Sequence, residues 1–250
     1  MEQHDFTDKV VLITGGTRGL GEAMATGFAT AGATVAVASR KPDACAAAVV
    51  RLRELGGHAT GHPMNVGRWE DCTNLVADVY SEHDRIDVLI NNAGLSPLAP
   101  SSVETSEELW DKVLAVNLKG PFRLTSLVAS RMVEEGCPGS VVNVSSIAAI
   151  RPQPHIAPYA AAKAGLNALT TAFAKEYGPT VRVNCIMAGP FLTDLSSSWS
   201  GSSEFARRRQ TMALRRAGNP DEVVGAALYL SGPSASFTTG AVLTIDGGAS

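Results

Sequence analysis

The chain has 250 residues, 45% of them hydrophobic and 18% charged, and its 21 Lys and Arg set against 24 Asp and Glu leave a formal charge of −3. That composition belongs to a folded chain of a size that one large domain can reach, and it excludes a disordered or fibrous one. Without a basic excess, a surface built to hold nucleic acid or an anionic membrane is excluded as well.

The first residues carry Glu2, Asp5 and Asp8 where a secretory leader needs a basic patch followed by an apolar run. No apolar stretch of about 18 residues follows, so a cytoplasmic protein is expected, with no membrane partner. Cys45, Cys72, Cys137 and Cys185 form no C-x-x-C pair, and His4, His58, His62, His83 and His155 form no dense ligand cluster along the sequence. Reduced structural thiols and no metal are therefore expected.

In chain order, short β-branched runs alternate with Ala-rich helical segments. Strands are predicted at Val10 to Thr14, Thr34 to Ser39, His58 to Pro63, Val88 to Asn91, Ser140 to Ser145, Val181 to Met187 and Val242 to Ile245. Helices are predicted at Leu20 to Ala31, Pro42 to Leu55, Trp69 to Glu82, Ser106 to Val133, Tyr159 to Tyr177 and Asp221 to Leu230. Gly32 and Gly56-Gly57 stop the first two, and Asn219-Pro220-Asp221-Glu222 starts the last. The alternation gives an α/β chain with a parallel sheet under crossover helices. No linker or repeat divides it, so residues 1–250 read as one domain. Leu192 to Arg216 is polar and irregular, and is expected to be a loop acting as a substrate lid.

After the first strand, Thr14-Gly15-Gly16-Thr17-Arg18-Gly19-Leu20-Gly21 places three glycines ahead of a helix. Glycine lets backbone N–H groups approach a pyrophosphate, and a helix N-terminus offers unpaired donors and partial positive charge. The second strand ends in Ser39-Arg40-Lys41 rather than in an acid. An acid would accept the ribose hydroxyls and repel a 2′-phosphate, whereas Arg40 can fork onto that phosphate, Ser39 leaves it room and Arg18 adds a second cation. NADP(H) is the expected cofactor, with NAD(H) the alternative.

Tyr159 and Lys163 stand at i and i+4 on one helix face. An unperturbed phenol ionises near pH ~10, and a cation within ~6 Å lowers that value toward a useful range for proton transfer. Ser146 ends the fifth strand, at the sheet edge where ligands bind. With Asn91-Asn92-Ala93-Gly94 after the fourth strand, Asn117 in Ala-Val-Asn-Leu, Asn143-Val-Ser-Ser146 and the terminal Thr244-Ile-Asp-Gly-Gly248, the whole chain resembles the short-chain dehydrogenase/reductase family, in its branch of roughly 250-residue single domains. Members of the 3-oxoacyl-ACP reductase and polyol or gluconate dehydrogenase type lie within that range.

The resemblance implies a Rossmann-like, doubly wound parallel sheet of seven strands with helices on both faces. It implies Tyr159 as general acid/base, Ser146 polarising the carbonyl, Lys163 holding the nicotinamide ribose and lowering the phenol pKa, and Asn117 holding a relay water. Cofactor contacts follow at Gly15, Thr17, Arg18, Gly19, Leu20, Ser39, Arg40, Asn65, Val66, Asn92, Ala93, Gly94, Tyr159, Lys163, Gly189, Phe191 and Thr193. Two positions depart from the family's habit: Asn65 stands where Asp is frequent, and Ala188-Gly189-Pro190 where Pro-Gly is common.

A small-molecule ketone or secondary alcohol is the expected substrate, with Ser96, Leu98, Arg151, Gln153, His155, Phe191 and Trp199 lining its pocket. Arg151 is a candidate partner for a carboxylate or phosphate, and His155 for a hydroxyl. A catalytically idle dinucleotide-binding regulator and an NAD-dependent sugar or polyol dehydrogenase are the alternatives. Leu166, Leu169, Phe173 and Tyr177 form one stripe of the Tyr159 helix, while Ala161, Ala164, Gly165, Ala168 and Ala172 leave the rest small. Small residues admit close helix approach, and the resemblance implies a homo-oligomer, a tetramer or dimer.

Overall fold

The uninterrupted apolar strands are explained by a sheet covered on both faces. Alternate residues of the first strand supply the two layers: Val11 and Ile13 pack with Met24 and Phe28 on one side, and Val10 and Leu12 pack with Leu75, Val79, Leu124 and Val128 on the other. Leu12 and Ile13 are fully buried, each contributing roughly 1.5–3 kcal/mol relative to an exposed side chain.

In the computed structural model, which describes residues 5–194 and 203–249, seven strands form one sheet. They are β1 (Val10–Thr14), β2 (Thr34–Ser39), β3 (His58–Pro63), β4 (Val88–Asn91), β5 (Gly139–Ser146), β6 (Val181–Ala188) and β7 (Val242–Ile245). All pairings are parallel, in the order β3-β2-β1-β4-β5-β6-β7. The order reverses between β1 and β4, which opens a crevice beyond their carboxyl ends.

The helices are α1 (Gly19–Thr30), α2 (Pro42–Glu54), α3 (Trp69–His83), α4 (Glu107–Leu114), α5 (Gly120–Glu134), α6 (Ala157–Glu176), α7 (Ser203–Thr211) and α8 (Val224–Ser231). Gly32 and Gly56 take the left-handed conformation after α1 and α2, at φ 91° and 82°, as the stop signals require. Pro220–Val223 is a 3-10 turn leading into α8, and the Glu222 carboxylate accepts from the Asn219 N–H at 2.7 Å.

Two predicted elements are corrected. The single helix over Ser106 to Val133 is broken by a π turn, Ala115–Lys119, between α4 and α5. The Asn117 amide nitrogen donates to Val113 O one turn back and to Leu95 O outside the helix, each at 2.9 Å. Those contacts hold the widened turn, and Gly120 admits Val66 O to where a Cβ would stand 2.3 Å from it. The irregular stretch Leu192 to Arg216 contains α7, anchored by the buried Phe205 and followed by Met212, which packs on Ile147, Met187 and Ala249. A few apolar anchors among arginines carry that helix, so its composition reads as loop.

The cysteines are free. Cys45, Cys72 and Cys185 are buried and Cys137 is exposed. Burial pushes the Cys72 and Cys185 thiols up to about 11, so both stay protonated and inert at neutral pH. Among the described residues, no helix is long and apolar enough to cross a membrane.

Candidate functional site

The crevice is built first by backbone. Gly15 and Gly19 take positive φ, 66° and 55°, which an L side chain adopts only with strain. A Cβ on Gly21 would fall 2.1 Å from Gly15 O and 2.4 Å from Asn92 Nδ2, so only glycine lets α1 start this close to the turn. Thr14 ties the turn to the end of β4: its hydroxyl accepts from the Asn92 and Ala93 N–H groups, both at 3.1 Å. Asn92 Nδ2 donates to Thr14 O and Gly15 O at 3.0 and 3.2 Å. Thr14 escaped the sequence reading, although a lone hydroxyl ending an apolar strand before a glycine turn was its signal.

At the end of β2, Thr17 Oγ1 donates to Ser39 Oγ at 3.2 Å, and Arg40 is exposed with no ion-pair partner among the described residues. Arg18 is less free than expected, since its guanidinium lies 3.4 Å from Asp194. Leu20 is half-buried at the start of α1.

Asn65 sits in a side-chain-stabilised turn: its Oδ1 accepts from Gly67 N–H at 3.1 Å, and its own N–H donates to Asp71 Oδ2 at 2.9 Å. Val66 is buried against Gly120. Across the crevice, a Cβ on Gly19 would lie 3.3 Å from Thr193 Cγ2, and one on Gly189 would lie 2.5 Å from Asp246 Cα. Thr193 therefore stands over the glycine turn. Phe191 is buried on the far side, against Gly218.

The second half of the crevice holds the polar groups. Lys163 is 4% exposed, and its Nζ donates to Val144 O at 2.7 Å while lying 5.8 Å from the Tyr159 ring centroid. Burial pushes this amine down to about 8. A Cβ on Gly94 would meet Asn117 Oδ1 at 2.9 Å and Lys163 Nζ at 3.7 Å. Gly94, Asn117 and Lys163 thus enclose one spot, and Ser146 and Tyr159 lie beside it. Burial pushes the Tyr159 phenol up, and its interaction with the Ser146 hydroxyl opposes that rise. Ser146 Oγ also accepts from Ala148 N–H at 3.2 Å.

Asn117 is held on all sides. Besides its two donations, Oδ1 accepts from Leu95 N–H at 3.3 Å. Beneath the site, Asn91 Nδ2 donates to Thr125 Oγ1 and Asn143 Oδ1, and Asn143 Nδ2 donates to Thr170 Oγ1, all at 2.9 Å. This buried chain fixes β4, β5, α5 and α6 to one another, so Ser146, Tyr159 and Lys163 rest on rigid elements. Thr125 and Thr170 left no signal in the sequence, being one threonine each on an amphipathic helix.

The expected substrate residues divide. Ser96 is half-buried and Leu98 is 69% exposed on the segment leaving β4, and Gln153 is exposed. Arg151 is not a free cation: its guanidinium donates to Ala249 O and pairs with Asp246 at 3.6 Å. His155 is also committed, with Nδ1 3.0 Å from Ala99 O and its carbonyl accepting from Ala99 N–H. Both residues fasten loops. Trp199 lies outside the described residues, as does the middle of the expected lid.

The glycine cradle, the topological switch and a buried lysine beside a tyrosine fit a nicotinamide dinucleotide and define a dinucleotide-dependent oxidoreductase. A family model described as enoyl-(acyl carrier protein) reductase matches residues 15–250. The chain is 38% identical over 245 residues to human dehydrogenase/reductase SDR family member 4, covering 97% of this chain and 88% of that protein. A short-chain dehydrogenase/reductase structure from Mycobacterium marinum superposes with a TM-score of 0.93 at 28% identity, over 100% of this chain and 98% of that one. A candidate NAD(P)-dependent gluconate 5-dehydrogenase from Beutenbergia cavernae, solved with NADP at low occupancy, does so at 0.93 and 31%, over 98% of each. The chain belongs to the short-chain dehydrogenase/reductase family, enzymes that act on alcohol and ketone groups with NAD(P).

Proposed function

We propose that residues 1–250 form one catalytic unit that uses NADP(H) to interconvert a ketone and a secondary alcohol. The observation that carries this reading is Lys163. Burying an ammonium is costly; ribose binding alone would account for the amine, but not for a phenol and a serine hydroxyl set beside it. When bound, the nicotinamide supplies or accepts the hydride. Gly15, Gly19, Leu20, Asn92, Ala93, Gly94, Gly189, Phe191 and Thr193 shape its berth, with Asn65 and Val66 at the adenine end.

In reduction, charge grows on the substrate oxygen, and the Ser146 hydroxyl and Tyr159 phenol donate hydrogen bonds to it as it develops. The phenol then gives up its proton. The nearby Lys163 ammonium stabilises the phenolate left behind, and in oxidation the phenolate takes the alcohol proton. Both amide N–H bonds of Asn117 are spent within the protein, so it can anchor a relay water only through its remaining acceptors.

Arg40 supports NADP(H), since no acid ends β2 and Thr17 holds Ser39 beside it. Arg40→Asp is expected to lower kcat/KM with NADPH by about 10- to 100-fold, the worth of a charged hydrogen bond, while sparing NADH. An unchanged NADPH preference overturns the assignment. With Arg151 tethered, the segments leaving β4, β5 and β6 present Leu98, Ile150 and Leu192, all exposed, which favours an apolar ketone. A panel of apolar ketones, keto-sugars and polyols followed at 340 nm with both cofactors tests this, and faster turnover of polyols would reject it.

We propose in addition a homo-oligomer, working in the cytoplasm. A depression between α4, the π turn, α5 and α6 has an apolar floor of Trp69, Leu114, Leu118, Phe122 and Leu169 beside the charged Glu107, Glu108, Asp111, Lys112 and Lys119, and Ala161, Ala164, Ala168 and Ala172 are exposed beside it. Such an apolar floor with a charged rim fits a second copy of the chain. Light scattering at micromolar concentration is expected to give a dimer or tetramer mass that Ala168→Glu reduces; a monomeric wild type refutes it.

A further inference from the structure

His62 lies twenty residues before the adjacent Glu82 and His83 in the sequence, yet the fold gathers the three at the edge of the sheet farthest from β7. Thr60 and His62 occupy alternate positions on β3, paired with Ala36 and Ala38 of β2, so both side chains stand on the face that α3 covers. Helix α3 ends in Glu82 and His83 directly against them. The Nε2 atoms of His62 and His83 lie 2.9 and 3.0 Å from the same Thr60 hydroxyl. Glu82 Oε2 lies 3.7 and 4.0 Å from those two nitrogens.

A tetrahedral cation with bonds near 2.0–2.1 Å spaces its donors by about 3.4 Å. The four donors here bracket that spacing, and the three ligand atoms of His62, Glu82 and His83 all fall within 4.8 Å of one another. The imidazoles are nearly buried, at 11% and 13% exposure, while Glu82 is 48% exposed, so the nitrogens are held in place and the carboxylate side stays open for entry. Thr60 can donate its proton to one imidazole nitrogen and accept from the other, the roles being set by the tautomers. A cation would instead take a lone pair from each.

We propose that His62, Glu82 and His83 bind a divalent first-row cation, with Thr60 beside the fourth position. Two imidazoles and one carboxylate match zinc best. Nothing in the cofactor crevice uses these residues, and the ion's effect is structural: it clips one face of the edge strand β3 to the carboxyl end of α3.

The test uses the full chain with Cys137→Ser, which removes the exposed thiol. Zinc is titrated by calorimetry and cobalt by visible spectroscopy. One ion per chain is expected, giving strong tetrahedral d–d bands without a thiolate charge-transfer band. His83→Gln and Glu82→Gln are each expected to weaken binding by about tenfold or more, with circular dichroism like that of the parent. Glu82 is half-exposed, so Glu82→Gln decides the matter if His83→Gln unfolds. Absence of a stoichiometric site in the parent, or equal binding in the folded variants, overturns the proposal.

Discussion

Replacing Tyr159 by phenylalanine is expected to lower turnover by about two to four orders of magnitude, the usual worth of a positioned proton donor, while cofactor affinity changes little. The ring keeps its place on α6 over the Lys163 amine, 5.8 Å from its centroid, and only the proton is lost. Single-turnover rates with a ketone and fluorescence titration of the dinucleotide separate the two effects. Turnover within tenfold of wild type would remove Tyr159 from the mechanism. The pH dependence carries a sign as well. Burial pushes the phenol up, so at neutral pH it is a proton donor ready for reduction, and oxidation has to wait for its ionisation. Raising the pH is therefore expected to speed oxidation until the Lys163 amine, held down to about 8, loses its charge, and to slow reduction at higher pH as the phenol ionises. Tyr159→Phe should show neither trend.

The strands were legible because each is written locally. Val10 to Thr14 is an apolar run that ends where glycines begin, and nothing distant is needed to read it. The crevice was legible for the same reason, as its cradle is one contiguous turn. What escaped depends on partners far along the chain. The π turn exists because Asn117 reaches Leu95 and Gly120 admits Val66, and neither partner is visible in the Ser106 to Val133 stretch, whose pattern is helical throughout. Arg151 looked free because its acceptors, Ala249 and Asp246, lie almost a hundred residues further along the chain. His155 looked like a pocket residue because Ala99, which it holds, belongs to another loop. Helix α7 was hidden by its arginines, since helix formation there rests on docking Phe205 and Met212 rather than on a continuous apolar stripe. Local chemistry is thus written in short motifs, whereas the orientation of single polar side chains is settled by tertiary contacts.

Lys163→Met is expected to separate function from stability. Activity should fall by about a hundredfold or more, because the phenolate loses the charge that stabilises it. Stability should move the other way. The amine is pushed down from lysine's usual 10.5 to about 8 by burial, so between those values the folded chain binds fewer protons than the unfolded one. The wild type is then expected to gain stability as pH rises from about 8 toward 10.5, and to bear the full cost of a buried ammonium below about 8. Methionine fills a similar volume without charge, and it gives up only the hydrogen bond to Val144 O. At pH 7 the variant should be more stable by roughly 2 kcal/mol, the ionisation cost less one hydrogen bond, with the advantage fading toward pH 10. Urea denaturation of the cofactor-free chain at the two pH values measures it. A variant less stable than wild type at pH 7 would mean that Lys163 is satisfied within the fold, and that the site does not hold its cation at the expense of stability.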